Sequence, residues 1–437
     1  MILRTFSSLA AAGLAEAVLS SLSLVVLVRA TGAETSGRVI FAQSVASVCF
    51  LALDPRLDNT VQRYVPLEER RGGQGFALYR RLVRWDVGIR AAAAVLCCAG
   101  VATMWLLGLA GDELARMLVL AVAGRAALAA NGAVRASFSL ADRLHELGLL
   151  RLGCAVSAFA LSAGGLLAGG PLAYLAGQAL GAALAGLLVG ALGTRALRAR
   201  LAPAAPAAGG PLPTGLVSFT VKASGGTALA EVSESGILTV AGLLGGSTLV
   251  TVLKVASAPG RLYATMVMPV ASMLYPRLAR AAAAGQERTL ARRDIARASV
   301  PLAAAGLLTA AVALPLIGEV LRMVYGREYA LVGPVAGVLV AAACVKGLVC
   351  WSNVLPLALG RPGWRLAYLA GEGAALLGVL LLARWLSPAP LGTALCFAWG
   401  TLAAAVAGAA VWAALLRRIS AAAVETTAER AAALASR

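Results

Sequence analysis

Charged residues are scarce in this sequence: they make up 13% of its 437 residues, whereas 60% are hydrophobic. A soluble domain usually has about 25% charged and about 45–50% apolar residues, so this chain lacks the polar groups that a soluble surface needs. Its mean hydropathy is +0.84. The apolar residues occur in runs of about 20 or more, long enough for helices to cross a bilayer. We therefore predict an all-α protein that spans the membrane many times.

Metal-binding side chains are equally scarce. His145 is the single histidine, and none of the seven cysteines belongs to a CxxC pair. All seven lie in apolar segments, where a thiol acts as a small packing residue. Zinc sites and disulfide frameworks need closely spaced cysteine or histidine pairs. The sequence therefore predicts no metal site and no cofactor.

Large external loops are also missing, because no predicted external connection exceeds about ten residues. A membrane enzyme such as an O-antigen polymerase or ligase needs such a loop to carry catalytic arginine or histidine residues. We therefore predict that the chain is not an enzyme. A membrane scaffold without a substrate remains an alternative.

Twelve helices fit the apolar pattern, and the second is the least apolar of them. Its stretch FAQSVASVCFLALD mixes polar residues into the run, which is typical of a helix that lines a wet cavity or packs on a partner helix. The predicted helices cover residues 7–28, 38–57, 86–109, 114–135, 147–169, 171–193, 215–241, 247–275, 299–321, 329–356, 364–383 and 391–416.

The net charge of +18 is carried by arginines in the connections between these helices. They concentrate after the second, sixth and eighth helices, while each connection on the other side has only one or two. By the positive-inside rule, both termini of this multi-pass protein are predicted to face the cytoplasm from the inner membrane. This placement in short connections argues against nucleic-acid binding.

The domain organisation follows from a Pro-, Gly- and Ala-rich stretch, RLAPAAPAAGGPLPTG, midway along the chain. Residues 201–214 are predicted to form a semi-flexible cytoplasmic linker. It joins an N-terminal six-helix lobe at 1–200 to a C-terminal six-helix lobe at 215–416, followed by a cytoplasmic tail at 417–437. Two halves with equal helix numbers are typical of transporters built from repeats.

Charged side chains inside the apolar runs are the strongest functional signal. The chain has 35 arginines but only three lysines, all in apolar stretches. A charge at the bilayer centre costs about 2.5–3.5 kcal/mol on the insertion scale, so it normally faces a cavity or a partner. The candidate cavity cations are Arg125, Arg261, Lys222, Lys254 and Lys346.

Carboxylates occur at similar depths, as coupling groups or as ion-pair partners. These are Glu16, Glu231, Glu234 and Glu372, and the polar cavity candidates are Asn131 and Asn353. Glu231 and Glu234 share one face of the predicted seventh helix, and by depth Arg261 is expected near one of them. Pro259 and Gly260 precede Arg261 and predict a hinge, because proline removes a backbone hydrogen bond. The alternative is that these charges form structural pairs that lock the helices together.

Four stretches resemble the polysaccharide-transporter branch of the multidrug/oligosaccharidyl-lipid/polysaccharide exporter superfamily, which includes O-antigen flippases. The first, ATGAETSGRVIFAQSVASVCFLALDPRLDNTVQRYV, has Arg63-Tyr64 near its end. In VLKVASAPGRLYATMVMPVASMLYPRLARAAAAGQ, Pro276 precedes a basic connection. LRMVYGREYALVGPVAGVLV contains a Tyr-Gly-x-x-Tyr motif, and LALGRPGWRLAYLAGEGAALLGVLLL is similar to the family's turn into helix eleven.

The resemblance implies two six-helix lobes that alternate access around a central cationic cavity. It also implies a lipid-linked oligosaccharide carried on polyprenyl pyrophosphate as the substrate, with membrane lipids, H⁺ or Na⁺ and the polysaccharide polymerase machinery as candidate partners. Lysine and arginine suit a pyrophosphate because they form charge-assisted hydrogen bonds with phosphate oxygens. The alternatives from the same superfamily are a cation-coupled multidrug antiporter and a lipid II flippase, which usually has more helices.

Overall fold

The computed structural model describes residues 2–51, 57–72, 74–128, 131–201, 212–283, 289–359 and 362–435, and it is helical almost throughout. The α-helices, in chain order, are α1 (Ile2–Leu51), α2 (Asp58–Gly72), α3 (Gly75–Leu106), α4 (Asp112–Ala127), α5 (Asn131–Leu140), α6 (Leu144–Arg200), α7 (Leu216–Glu231), α8 (Ile237–Ala283), α9 (Thr289–Tyr325), α10 (Gly333–Leu348), α11 (Leu355–Ala358), α12 (Pro362–Leu386) and α13 (Pro390–Ala435). A π-helical turn, Val232–Gly236, joins α7 to α8, and the 3₁₀ turns Arg327–Val332 and Cys350–Asn353 flank α10.

Three of the long helices are each divided by a glycine in a left-handed backbone conformation. Gly32 breaks α1 at φ 73°, Gly170 breaks α6 at φ 73° and Gly246 breaks α8 at φ 74°. Residues with a Cβ rarely adopt this conformation, so glycine allows a very short turn between two helices. The breaks fall between the predicted helix pairs one and two, five and six, and seven and eight.

The predicted all-α membrane fold is confirmed. Within the described ranges, nine helices are long and apolar enough to cross a membrane, and the three glycine breaks divide them into about twelve helical segments. Large apolar side chains also cover much of the outside, as in Leu106, Leu307 and Trp385, which are 76%, 74% and 79% exposed. Such a surface suits lipid and not water.

Some predicted boundaries differ from the observed ones. The connection after the second helix contains α2, whose Val61, Tyr64 and Val65 are buried at helical spacing. Helix α3 starts at Gly75 and not at 86, because Tyr79 and Leu82 pack into the same core. The tenth predicted helix reached 356, whereas α10 ends at Leu348. The chain passes from α10 through Val349 into the 3₁₀ turn Cys350–Asn353, and α11 begins only at Leu355.

Packing divides the chain into two units, Met1–Thr251 and Val252–Arg437. The first unit has one core where α1, α4 and α6 meet, around Leu27, Met117 and Tyr174. A second core lies where α2, the start of α3 and the end of α6 meet, and it includes Val61, Tyr79 and Leu197. The predicted division into six-helix lobes at 1–200 and 215–416 stays a prediction, and residues 202–211 of the predicted linker lie outside the described ranges.

The second unit is organised around aromatic residues. Trp351 and Trp412 are buried with Leu274 and Leu278 in its core, and the Trp412 ring centroid lies 5.2 Å from that of Tyr368. Another tyrosine, Tyr263 of α8, is packed so closely on α10 that a side chain at Gly347 would approach its ring at 2.8 Å. Glycine at this position therefore allows α8 and α10 to approach closely.

Candidate functional site

Arg125 is the best-defined cation inside the apolar part of the first unit. It lies in the last turn of α4, near the middle of the apolar segment Asp112–Leu140. Its Nε donates a hydrogen bond to Ser47 Oγ at 3.0 Å, and its Nη2 donates to the same oxygen. Nη2 also lies 3.4 Å from Glu231 Oε1. The Arg125 guanidinium therefore joins α4 to the second half of α1 and to the end of α7.

The pair formed by Arg125 and Glu231 is loose and partly open. The two side chains are 38% and 28% exposed, and 3.4 Å is long for a charge-assisted hydrogen bond. The Nη1 group of Arg125 has no hydrogen bond to any described residue, so the guanidinium has donor capacity left over. An anion that reached this site would find N–H donors that Glu231 does not saturate.

Glu231 lies next to an irregular stretch of backbone. It is the last residue of α7, directly before the π-helical turn Val232–Gly236. A π-turn adds a residue to the helix and shifts the faces that follow it, and such turns are frequent at functional sites. Glu234 lies within this turn and is exposed. The turn begins directly after Glu231 and includes Glu234, and the shared face predicted for the two glutamates stays a prediction.

A chain of hydrogen bonds continues from Ser47 through the interior of the first unit. Ser47 Oγ donates to the Gln43 carbonyl at 2.7 Å, and the Gln43 amide donates to Gln178 Oε1 at 2.6 Å. Gln178 Nε2 then donates to the Tyr174 hydroxyl at 3.0 Å, which lies 2.8 Å from Ser23 Oγ. The chain connects both halves of α1 to α6, so it fixes the helices that hold Arg125.

Glu16, predicted as a coupling or ion-pair carboxylate, forms a salt bridge with Arg151 of α6. Both side chains are partly buried, so this pair also joins α1 to α6. The sequence argument did not identify Arg151. Its position only four residues into the predicted fifth helix made it look like a residue near the membrane surface.

Lys346 and Glu372 form a short salt bridge in the second unit. Lys346 Nζ lies 2.5 Å from Glu372 Oε1, and the side chains are 42% and 14% exposed. The pair connects the last turn of α10 to α12. Lys346 therefore already has a close, well-shielded counter-ion.

Arg261 and Lys254 are neighbours on α8 in the second unit. Arg261 Nη2 donates to the Lys254 carbonyl at 3.2 Å, and both side chains are partly buried. Helix α8 continues through Pro259 and Gly260, and its non-helical residue is Gly246. A side chain at Gly260 would approach the Ala343 methyl group at 3.3 Å, so this glycine allows close packing on α10. The predicted hinge and the predicted contact of Arg261 with Glu231 or Glu234 both stay predictions.

Three other predicted site residues can be placed only in part. The side chains of Lys222 on α7 and Asn131 on α5 lie outside the described residues. Asn353 is partly buried in the 3₁₀ turn Cys350–Asn353.

Sequence reasoning missed two features. Asp86 and Arg90 form a salt bridge of 3.1 Å in α3, and Asp86 is 1% exposed. They were missed because the predicted third helix began at 86, which placed both residues near a membrane surface. Gln43 and Ser47 were not named either, although the polar character of the second helix was the signal that could have found them.

Comparisons with solved structures identify the fold. The structure is similar to an inward-facing multidrug resistance MATE family transporter of the MOP superfamily, with a TM-score of 0.66 and 13% identity over 93% of this chain and 95% of that one. The Vibrio cholerae MATE transporter VcmN in its bent form gives 0.64 and 16% identity over 95% and 99%. A MOP superfamily transporter from Pyrococcus furiosus gives 0.68 and 13% identity over 95% and 96%. It is described with the words "reverse polarity of binding pocket suggests different function".

At these identities the likeness concerns the fold. No protein-family model matches the chain, and no curated protein matches it significantly.

Proposed function

We propose that this protein moves an anionic lipid-linked oligosaccharide, carried on polyprenyl pyrophosphate, from the cytoplasmic to the outer leaflet by alternating access. The solved structures that share its fold are MATE family and MOP superfamily transporters, which supports transport and not catalysis. In this proposal the protein lies in the inner membrane with both termini in the cytoplasm, and it supports the synthesis of a surface polysaccharide.

The observation that carries this proposal is the incomplete neutralisation of Arg125. Its only carboxylate partner among the described residues is Glu231, at 3.4 Å, and part of the guanidinium is exposed in the apolar depth of the first unit. A cation in this position is costly unless something anionic visits it. The two terminal nitrogens of an arginine can bind two phosphate oxygens at once, which suits a pyrophosphate.

Partly buried cations of the second unit also favour an anionic substrate. Arg261 and Lys254 lie within two turns of each other on α8. Each unit therefore has cations within its own apolar segments, which favours an anionic head group as the substrate. The solved Pyrococcus furiosus protein, described as having a pocket of reversed polarity, provides a precedent within this fold for a pocket charge that changes the function.

A cation-coupled multidrug antiporter is the second candidate. Two of the three solved structures named above are described as multidrug or MATE transporters, and Glu231 and Glu234 are carboxylates that could bind a cation or a proton. In that case the carboxylates, and not Arg125, would be essential for transport.

Transport in reconstituted vesicles tests the proposal. The full-length protein is placed in proteoliposomes with a fluorescent polyprenyl-pyrophosphate oligosaccharide, and its appearance in the opposite leaflet is followed with a membrane-impermeant quencher. We expect Arg125→Ala and Arg261→Ala each to slow translocation at least about tenfold, because a hydrogen bond to a charged group contributes about 1.5–3 kcal/mol. The matched control is Arg322→Ala, because Arg322 forms an exposed salt bridge with Glu319.

Wild-type translocation by both variants, at equal protein in the vesicles, would contradict the proposal. Uptake of cationic dyes that requires Glu231 but not Arg125 would establish the antiporter instead. In cells that lack the gene, the proposal expects the lipid-linked oligosaccharide to accumulate on the inner leaflet.

A further inference from the structure

One end of the first unit carries a patch of exposed arginines. The end consists of α2, the start of α3, the end of α6 and the start of α7, which meet around Val61, Tyr79 and Leu197. We call it the six-arginine patch, and its exposed members are Arg63, Arg70, Arg80, Arg84, Arg195 and Arg198.

The members of the patch share the lack of a local counter-ion. None of the six has a carboxylate partner among the residues that the structure describes. Some exposed arginines elsewhere pair within the chain, as Arg38 does with Glu34, Arg143 with Glu146 and Arg322 with Glu319, whereas Arg116 and Arg327 are exposed without a carboxylate partner among the described residues. The positive-inside rule accounts for arginines on one side of a membrane protein. What sets these six apart is that they gather at one end of the first unit without a carboxylate partner, so an anion that binds there would come from outside the chain.

Aromatic rings hold two of these arginines in place. The Arg63 guanidinium lies 4.6 Å from the Phe219 ring of α7 and 5.7 Å from the Tyr64 ring. The Arg198 guanidinium lies 5.4 Å from the Phe76 ring. Stacking on a ring restrains the side chain while its N–H donors at the edge of the guanidinium plane stay available. The two side chains are therefore already ordered for binding an oxyanion.

The patch borders a surface that faces lipid. On α3, Arg80 and Arg84 lie near the start of the apolar segment Gly75–Leu106, in which Trp85, Val87 and Leu96 are 37%, 45% and 65% exposed. Tryptophan is enriched where a membrane protein passes from hydrocarbon to head groups. The patch thus lies at the level of the lipid head groups, where phosphate is the abundant anion.

We propose that the six-arginine patch binds the phosphate groups of anionic phospholipids. Clusters of four to eight basic residues next to a membrane helix bind acidic lipids, and arginine forms bidentate hydrogen bonds with phosphate. This inference does not depend on the transported substrate, because it concerns the lipid that surrounds the protein.

Lipid binding by the full-length protein tests the inference. The purified protein in neutral detergent is titrated with phosphatidylglycerol or phosphatidylcholine, and bound lipids are counted by native mass spectrometry. We expect the wild type to prefer phosphatidylglycerol. The double variant Arg63→Gln/Arg198→Gln should lose about tenfold or more of that affinity, since each basic residue near an anionic membrane contributes about fivefold. The matched control is Arg143→Gln/Arg322→Gln, which removes two exposed arginines from salt bridges.

A second variant guards against misfolding. Arg70→Gln/Arg195→Gln changes patch arginines that stack on no ring among the described residues, and it should show the same loss with an unchanged melting temperature. Equal phosphatidylglycerol affinity in wild type and both patch variants would overturn the proposal. Displacement of the lipid by an equal concentration of inorganic phosphate would also overturn it, because the patch would then be a site for free phosphate. The transport proposal would survive either result.

Discussion

Two ion pairs, one in each unit, show how the same sequence signal leads to different physical situations. Arg125 and Lys346 are both single cations in apolar runs. Arg125 lies 3.4 Å from Glu231, and its other contact is a serine hydroxyl, whereas Lys346 lies 2.5 Å from Glu372, which is 14% exposed. The first pair leaves donors available to a ligand, and the second is close and shielded. In our proposal only the first of these two pairs serves as an exchangeable anion site.

The two units also differ in whether their buried tyrosine hydroxyls are hydrogen-bonded. In the first unit, the buried Tyr174 hydroxyl joins Ser23 to Gln178. In the second unit, the buried Tyr263 hydroxyl has no hydrogen-bond partner among the described residues and is packed against glycine backbone. The first unit thus holds its helices with a hydrogen-bonded chain, and the second with close packing.

The largest effect on stability is expected from Lys346→Ala. This change leaves the shielded Glu372 carboxylate without its counter-ion, so we expect the free energy of unfolding in lipid bicelles to fall by about 2 kcal/mol. This expected loss is intermediate because the pair is partly buried. Breaking a fully buried ion pair costs about 3–5 kcal/mol, and breaking an exposed one costs less than about 1 kcal/mol. The double variant Lys346→Ala/Glu372→Ala should recover much of the loss. A double variant no more stable than Lys346→Ala would show that the pair does not act as a unit.

An intermediate effect is expected from Tyr174→Phe. The change removes the acceptor of Gln178 Nε2 and the closer of the two hydroxyl contacts of Ser23, which costs about 1 kcal/mol. The matched variant Tyr263→Phe removes a hydroxyl that has no partner among the described residues, and it should leave stability unchanged or slightly raised. Thermal unfolding of both variants measures the difference. If Tyr263→Phe proved as destabilising as Tyr174→Phe, the contrast between the two interiors would be wrong.

The smallest stability change is expected from Glu231→Gln. The pair with Arg125 is long and partly exposed, so its loss should cost less than about 1 kcal/mol. Because a neutral amide at this position competes less strongly for Arg125 than a carboxylate does, we expect tighter binding of a pyrophosphate probe, measured by calorimetry. A stability loss as large as that of Lys346→Ala would show that the Arg125–Glu231 pair is a structural ion pair.

Much of the fold was predictable from sequence because hydrocarbon imposes a simple rule on backbone groups. A chain inside a bilayer must satisfy its own N–H and C=O groups, so long apolar runs become helices. The breaks at Gly32, Gly170 and Gly246 agree with the predicted ends of neighbouring helices. Helix α2 was missed because its buried Val61 and Tyr64 lie among many charged residues, and the apolar signal covers only one face.

The site was less predictable. Arg125, Glu231, Lys346 and Glu372 were identified as residues of interest because a charge in an apolar run is rare. Their pairing was not, since depth along a helix says nothing about rotation around it. The π-turn after Glu231 changes that rotation, and nothing in the residue types VSESG required a π-turn.

The sequence by itself determined the class of the protein, the number of apolar helices and which side chains carry charge into the membrane. These are local properties, fixed by hydrophobicity and by the conformational freedom of glycine. The tertiary structure decided which charges meet: Arg125 with Ser47 and Glu231, Lys346 with Glu372, and the six arginines in one patch. Pairing depends on how helices from distant parts of the chain pack, and that packing places Lys346 close to its counter-ion and Arg125 further from its own.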